Sequence, residues 1–123
     1  MTVKTIAPQL RTTDLDSSIR FYTEKVGLEL EFRHSDFYAG IRAQSGSFHL
    51  KRVDTPDPSI EFVSEGGHLH LYLGVDDVDA LGDRLRAAGV DLLQPPCNTD
   101  WGTRELVFKD DQGYTIYAGM RTG

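Results

Sequence analysis

Asp14-Leu15-Asp16 and Asp77-Val78-Asp79 lie 63 residues apart, whereas Gly27-Leu28 and Gly89-Val90 lie 62 apart. One pattern is therefore written twice, with a single residue lost inside the second copy's helix. Two copies of this length predict paired halves, not a solenoid, which stacks several shorter repeats. In each copy the pattern reads strand, helix, glycine, then three strands.

Residues 4–12 are rich enough in β-branched and apolar types to read as the first strand. Pro8 has no N–H for a central ladder, so that strand is expected at an edge, bulged or kinked. Asp14 or Asp16 caps a helix to about Val26, with Leu15, Ile19, Tyr22 and Val26 on one face. Gly27 suits a left-handed cap. Strands are expected near 28–33, 37–43 and 47–53, with Gly46 in the turn between the last two. Residues 54–67, which include Thr55-Pro56-Asp57-Pro58-Ser59, read as a linker. Residues 68–75 then alternate, placing Leu69, Leu71 and Leu73 on one face and His68, His70 and Tyr72 on the other. Asp76 or Asp77 caps a second helix, with Val78, Leu81, Leu85 and Ala88 inward and Gly89 at its end. Strands near 90–94, 104–109 and 114–119 complete the copy, with Gln112-Gly113 turning the last hairpin. The expected organisation is one domain over 1–123, with modules at about 4–53 and 68–120.

Composition narrows the function. The formal charge of −6 argues against nucleic acid, whose phosphates reward clustered Lys and Arg, and favours a cationic or metal-bound small ligand. Cys97 is the sole cysteine, so no disulfide framework is expected. No stretch approaches the roughly 20 apolar residues of a membrane span, and the N-terminus lacks a signal-peptide pattern. A cytoplasmic protein is the expectation.

The opening Pro8-Gln9-Leu10-Arg11-Thr12-Thr13-Asp14-Leu15, then Ser18-Ile19-Arg20-Phe21-Tyr22, Val26-Gly27-Leu28 and the closing Lys109-Asp110-Asp111-Gln112-Gly113-Tyr114 resemble the glyoxalase/bleomycin resistance/dioxygenase (vicinal oxygen chelate) superfamily. The resemblance implies an α+β fold of two βαβββ modules whose curved mixed sheets form a cup for a small molecule. It also implies a homodimer, sometimes with exchanged arms or modules. In the superfamily's metal enzymes, His, Glu or Gln from the first and last strand of each module hold a divalent ion. Carried over, those four corners are Ala7, His49, His70 and Tyr117. A catalytic ion wants at least three protein donors, so this set predicts no metal and no cofactor, with His49 and His70 as weak candidate ligands.

Within the superfamily, Asp36-Phe37-Tyr38-Ala39-Gly40 and Trp101-Gly102-Thr103-Arg104-Glu105 resemble segments of the bleomycin resistance proteins, each with one residue added. That likeness implies sequestration of a cationic, aromatic antibiotic without chemical change. Phe37 and Trp101 become candidate stacking residues, and Glu105 with Asp100 candidate contacts for a cation or amide. His49, His70 and Tyr117 are expected to line the cup. Arg104 and Glu105 can equally be read as a surface ion pair, and His34 as an exposed loop residue. The alternative function is a metal-dependent lyase, isomerase or ring-cleaving dioxygenase using His49, His70 and a divalent ion.

Overall fold

Two copies of one β-α-β-β-β plan are present in the computed structural model, which describes all of residues 1–123. The chain divides into two compact units, Met1–Asp57 and Pro58–Gly123. It is an α+β fold with two four-stranded mixed sheets and three helices.

In the first unit, β1 (Gln9–Thr12) leads through helix α1 (Leu15–Arg20) and a wide-turned π continuation (Phe21–Val26) to β2 (Glu29–His34), β3 (Tyr38–Ala43) and β4 (Gly46–Arg52). The strand order is β1-β4-β3-β2, with β1 parallel to β4 and the others antiparallel. Asp14 caps α1 by accepting the Ser17 N–H at 3.0 Å. The helix buries Leu15, Ile19, Phe21, Tyr22 and Val26 against Leu10, Ala39, Ile41, Phe48 and Leu50 of the sheet. Tyr22 meets Phe48 edge-on at 4.8 Å, and Thr12 pairs with Ser18 at 2.8 Å.

In the second unit, α2 (Ser59–Gly66) precedes β5 (Leu71–Gly74), α3 (Val78–Ala87), β6 (Leu92–Asn98), β7 (Thr103–Lys109) and β8 (Thr115–Arg121). The order β5-β8-β7-β6 repeats the first sheet, again with the first and last strands parallel. Asp77 caps α3 through the Ala80 N–H at 3.0 Å. Val78, Leu81 and Leu85 pack on Leu71, Leu106, Phe108, Ile116 and Ala118. Asp110 shapes the β7–β8 turn by accepting the N–H groups of Gln112 and Tyr114, and Gly113 takes a positive φ of 97°.

The offset change between the copies has a structural cause. In the second unit Val90 N–H bonds to Leu85 O and Gly89 N–H to Arg86 O, the Schellman pattern of a plain α-helix end. In the first unit Leu28 N–H and Gly27 N–H both reach back to Tyr22 O. Tyr22 corresponds to Leu85 and Leu28 to Val90, so the extra residue of the first copy lies between them. The helix absorbs it by widening into a π turn.

Several boundaries differ from expectation. The first strand begins at Gln9, because only there does β1 find β4; Pro8 just precedes it and accepts the His49 N–H at 2.8 Å. The tight turn before β4 is Gln44-Ser45, with Gly46 already paired to Ala43. Residues 59–66 of the expected linker form α2, tied to β7 by Lys109 Nζ donating to Ser64 Oγ at 2.9 Å. β6 runs on through Pro95 and Pro96, which an edge strand tolerates. His68 and His70 precede β5 and do not lie on it. No helix is long and apolar enough to cross a membrane.

Candidate functional site

Register fixes what each sheet shows on the face turned away from α1 or α3. In the first unit one row across all four strands is Gln9, His49, Gly40 and Phe32, and the next is Arg11, Lys51, Tyr38 and His34. In the second unit the matching rows are Tyr72, Tyr117, Val107 and Gln94, then Gly74, Gly119, Glu105 and Cys97. Each residue of one grid thus has a counterpart in the other.

The first grid is built of rings. Gly40 has no side chain, so the Phe32 ring lies down over it; a Cβ there would collide with that ring. Phe32 stacks beside Tyr38 at 6.2 Å and 15°, meets His49 edge-on at 5.3 Å and tilts against His34 at 5.7 Å. Gln9 Nε2 donates to Tyr38 Oη at 3.1 Å, which leaves the phenol proton for His49 Nδ1 at 3.0 Å. Phe37, 58% exposed, lies in the β2–β3 connection with Lys51 Nζ over its ring at 5.9 Å. His34 is the last residue of β2, not a loop residue.

The second grid centres on a carboxylate. Glu105 is only 7% exposed. Its Oε2 accepts from Tyr72 Oη at 2.7 Å and from Thr103 Oγ1 at 3.1 Å. Tyr72 reaches it across β8 because Gly119 lies between them without a side chain. Packing the hydroxyl away from water, together with the bond to Glu105 and its negative charge, pushes the Tyr72 phenol up to about 12. Arg104 faces the other way and forks onto Asp79 with two 3.0 Å hydrogen bonds, which holds the Asp79 carboxyl below its usual range. The surface pair Arg104–Glu105 therefore does not form. Trp101, 73% exposed, and exposed Asp100 lie in the β6–β7 connection. Cys97 is exposed and takes a 3.0 Å hydrogen bond from Gln94 Nε2.

His70 is placed differently from expectation. Its Nδ1 accepts the Thr115 N–H at 3.1 Å, its Nε2 meets Ser59 Oγ at 3.1 Å, and its ring packs edge-on against Tyr114 at 4.7 Å. With Nδ1 accepting, the neutral ring carries its proton on Nε2 and donates to Ser59. It cannot serve Ser59 as a base, and it offers no lone pair to a metal. It is a clamp joining α2 to β8.

The corner residues can now be weighed as donors. Ala7 has none, His70 has both nitrogens engaged, Tyr117 brings a phenol, and His49 has one nitrogen on Tyr38. No three His, Cys, Asp or Glu side chains come together anywhere in the chain. The donor set does not fit a catalytic metal ion.

Fold and sequence together assign the class. The chain belongs to the glyoxalase/bleomycin resistance protein/dioxygenase superfamily, whose family model matches residues 3–117. A probable lactoylglutathione lyase of Vibrio cholerae is 30% identical over 115 residues, covering 87% of this chain and 83% of the relative. Among solved structures, TnmS3, an antibiotic binding protein from Streptomyces sp. CB03234, is 26% identical with a TM-score of 0.72, covering 98% of this chain and 99% of that one. UcmS2 has a TM-score of 0.75 at 23% identity, covering 97% and 98%. These relatives correct the expectation that no cofactor is involved: lactoylglutathione lyases, and the superfamily at large, are typically metal-dependent. The donors of this chain at the four corners do not match that chemistry.

Sequence reasoning missed Phe32, Gln9, Tyr38 and Tyr72. Alternation in Phe32-Arg33-His34 was a signal for Phe32, but the shift in β2 pairing between Leu30 and Phe32 hides which face it joins. Gln9 and Tyr72 matter only through cross-strand register.

Proposed function

We propose that this chain is a small-molecule binding protein that sequesters a flat, aromatic and cationic ligand of antibiotic type, working as a homodimer in the cytoplasm. The observation that carries this reading is the ring layer on the first sheet, where Phe32 lies over Gly40 beside Tyr38 and His49. An open face of an antiparallel sheet is ordinarily polar; a layer of aromatic faces supplies stacking area and attracts cations. Phe37 extends that surface within the first unit, and Trp101 is an exposed ring at the corresponding connection of the second. Asp100 adds negative charge beside Trp101, Glu105 offers a carboxylate to a cation or amide, and His49 and Tyr117 line the open faces. The likeness to an antibiotic binding protein at 26% identity supports the same reading.

The test is equilibrium titration of the full chain with metal-free and copper-loaded bleomycin, following fluorescence of its single tryptophan. A saturable change is expected. None up to high micromolar drug removes the antibiotic form of the proposal.

The names of the curated relatives favour a second reading, lactoylglutathione lyase activity. Formation of S-lactoylglutathione on adding Ni, Zn, Mn or Fe would establish it, and its absence under all four would remove it.

A further inference from the structure

The two grids differ most sharply at one corner. Where the first unit carries Arg11 and Lys51 side by side, the second has Gly74 and Gly119, paired across β5 and β8. Glycine weakens a strand and often marks the close approach of something else. For Gly119 that something is Tyr72, whose hydroxyl occupies the space a Cβ would take. Gly74 has no such neighbour. A Cβ there would meet no atom within 4 Å, and its φ does not lie in the left-handed region. Above the two glycines is an open hollow of about 480 Å³, bordered by Tyr72, Asp76, Thr103 and Arg121 among others.

The geometry points to this hollow as a seat for a planar aromatic carboxylate, its ring over the bare backbone of Gly74 and against the Tyr72 ring, its carboxylate on Arg121. This rests only on the reading of the chain as a small-molecule binder, and it is a second seat, in the second unit, for an anionic ligand in place of the cationic one assigned to the first sheet. The bare backbone of Gly74 admits a flat group where a side chain would otherwise stand. Tyr72 is 46% exposed, so it presents ring surface to the hollow while its hydroxyl stays tied to Glu105. That tie fixes the wall in place. Offset stacking on such a ring is favourable, and the Arg121 guanidinium matches a carboxylate fork to fork. Arg121 is the one cationic side chain bordering the hollow, so it is the group that holds the carboxylate, against the repulsion of Asp76 on the same border. A one- or two-ring compound suits the space, since small-molecule pockets span roughly 300–1,000 Å³.

The test is titration of the full-length, nitrogen-15-labelled chain with 2-naphthoate, and with neutral 2-naphthamide as control, read by amide chemical shifts. Saturable shifts are expected at Gly74, Gly119 and Thr103. Affinity should fall at least tenfold for the amide, and likewise for naphthoate on Arg121→Gln. Gly74→Val fills the seat and should abolish those shifts with the remaining spectrum unchanged; Gly74→Ala, the smaller filler, should weaken binding. Shifts confined to other residues would overturn the seat and leave the binding reading standing. No shifts up to millimolar naphthoate, or full binding by folded Gly74→Val or Gly74→Ala, would also overturn it. The bleomycin titration judges the broader reading separately.

Discussion

Tyr72 donates a 2.7 Å hydrogen bond to the Glu105 carboxylate from two strands away, over Gly119. The first unit makes the same contact between the matching positions, Gln9 to Tyr38, at 3.1 Å. In each unit the first and third strands are thus joined across the last strand on the face turned away from α1 or α3.

That bond sets an alkaline limit. Burial of the hydroxyl end, then Glu105, raises the Tyr72 phenol from about 10 to about 12. A folded-state pKa above the unfolded one favours the protonated phenol. Its contribution to stability is fully present below pH 10 and is lost as pH rises toward 12. The urea midpoint of the wild type should therefore exceed that of Tyr72→Phe at pH 9 and converge on it as pH approaches 12. In Glu105→Gln, phenolate absorbance assignable to Tyr72 should appear at lower pH than in the wild type.

Gly119→Ala tests the crossing itself. The added Cβ evicts the Tyr72 hydroxyl, leaving the buried carboxylate with Thr103 as its remaining hydroxyl donor. Loss of a hydrogen bond to a buried charged group costs about 1.5–3 kcal/mol. Denaturant unfolding should show a loss of that order, and the Tyr72 phenol should titrate nearer its ordinary value.

Phe32→Ala separates binding from folding. Phe32 is half-buried and stands on the face away from α1, so its truncation should cost well below the roughly 3–5 kcal/mol of a core phenylalanine. Bleomycin affinity should fall about tenfold or more, as for an aromatic anchor. Unchanged affinity would argue against the ring layer as the binding surface.

His70→Ala should behave in the opposite way. It strips the side-chain acceptor from the Thr115 N–H, takes one partner from Ser59, and removes the edge contact with Tyr114. A stability loss of about 1–3 kcal/mol is expected from the unsatisfied groups, read by urea unfolding, with bleomycin affinity unchanged. Ser59→Ala should be milder, since the Thr115 bond survives.

The frame of the molecule was legible because it is written in local chemistry. Asp14 and Asp77 cap helices where expected, and Gly27 and Gly89 end them with φ of 95° and 83°. The faces were less legible. Which residue sits beside which depends on register between strands far apart in sequence, so Gln9 beside His49 and Tyr72 beside Tyr117 could not be read from either segment alone. Glu105 shows the difference well. Alternation alone separates it from Arg104, yet only the pairings of β8 with both β7 and β5 reveal that it lies under Tyr72. Helix α2 was hidden behind Pro56 and Pro58, which mark a turn but also lead directly into a helix start.

The wide turn between Tyr22 and Leu28 has a consequence beyond its own helix. The sheets of the two halves still share strand order and row-by-row correspondence, yet their helices differ by one residue. The π turn is the shock absorber that accommodates the extra residue without sliding Leu28 and the strand that follows out of step. With the frame kept in step, the two open faces carry different chemistry on matching positions: rings on one, a carboxylate and bare glycine on the other.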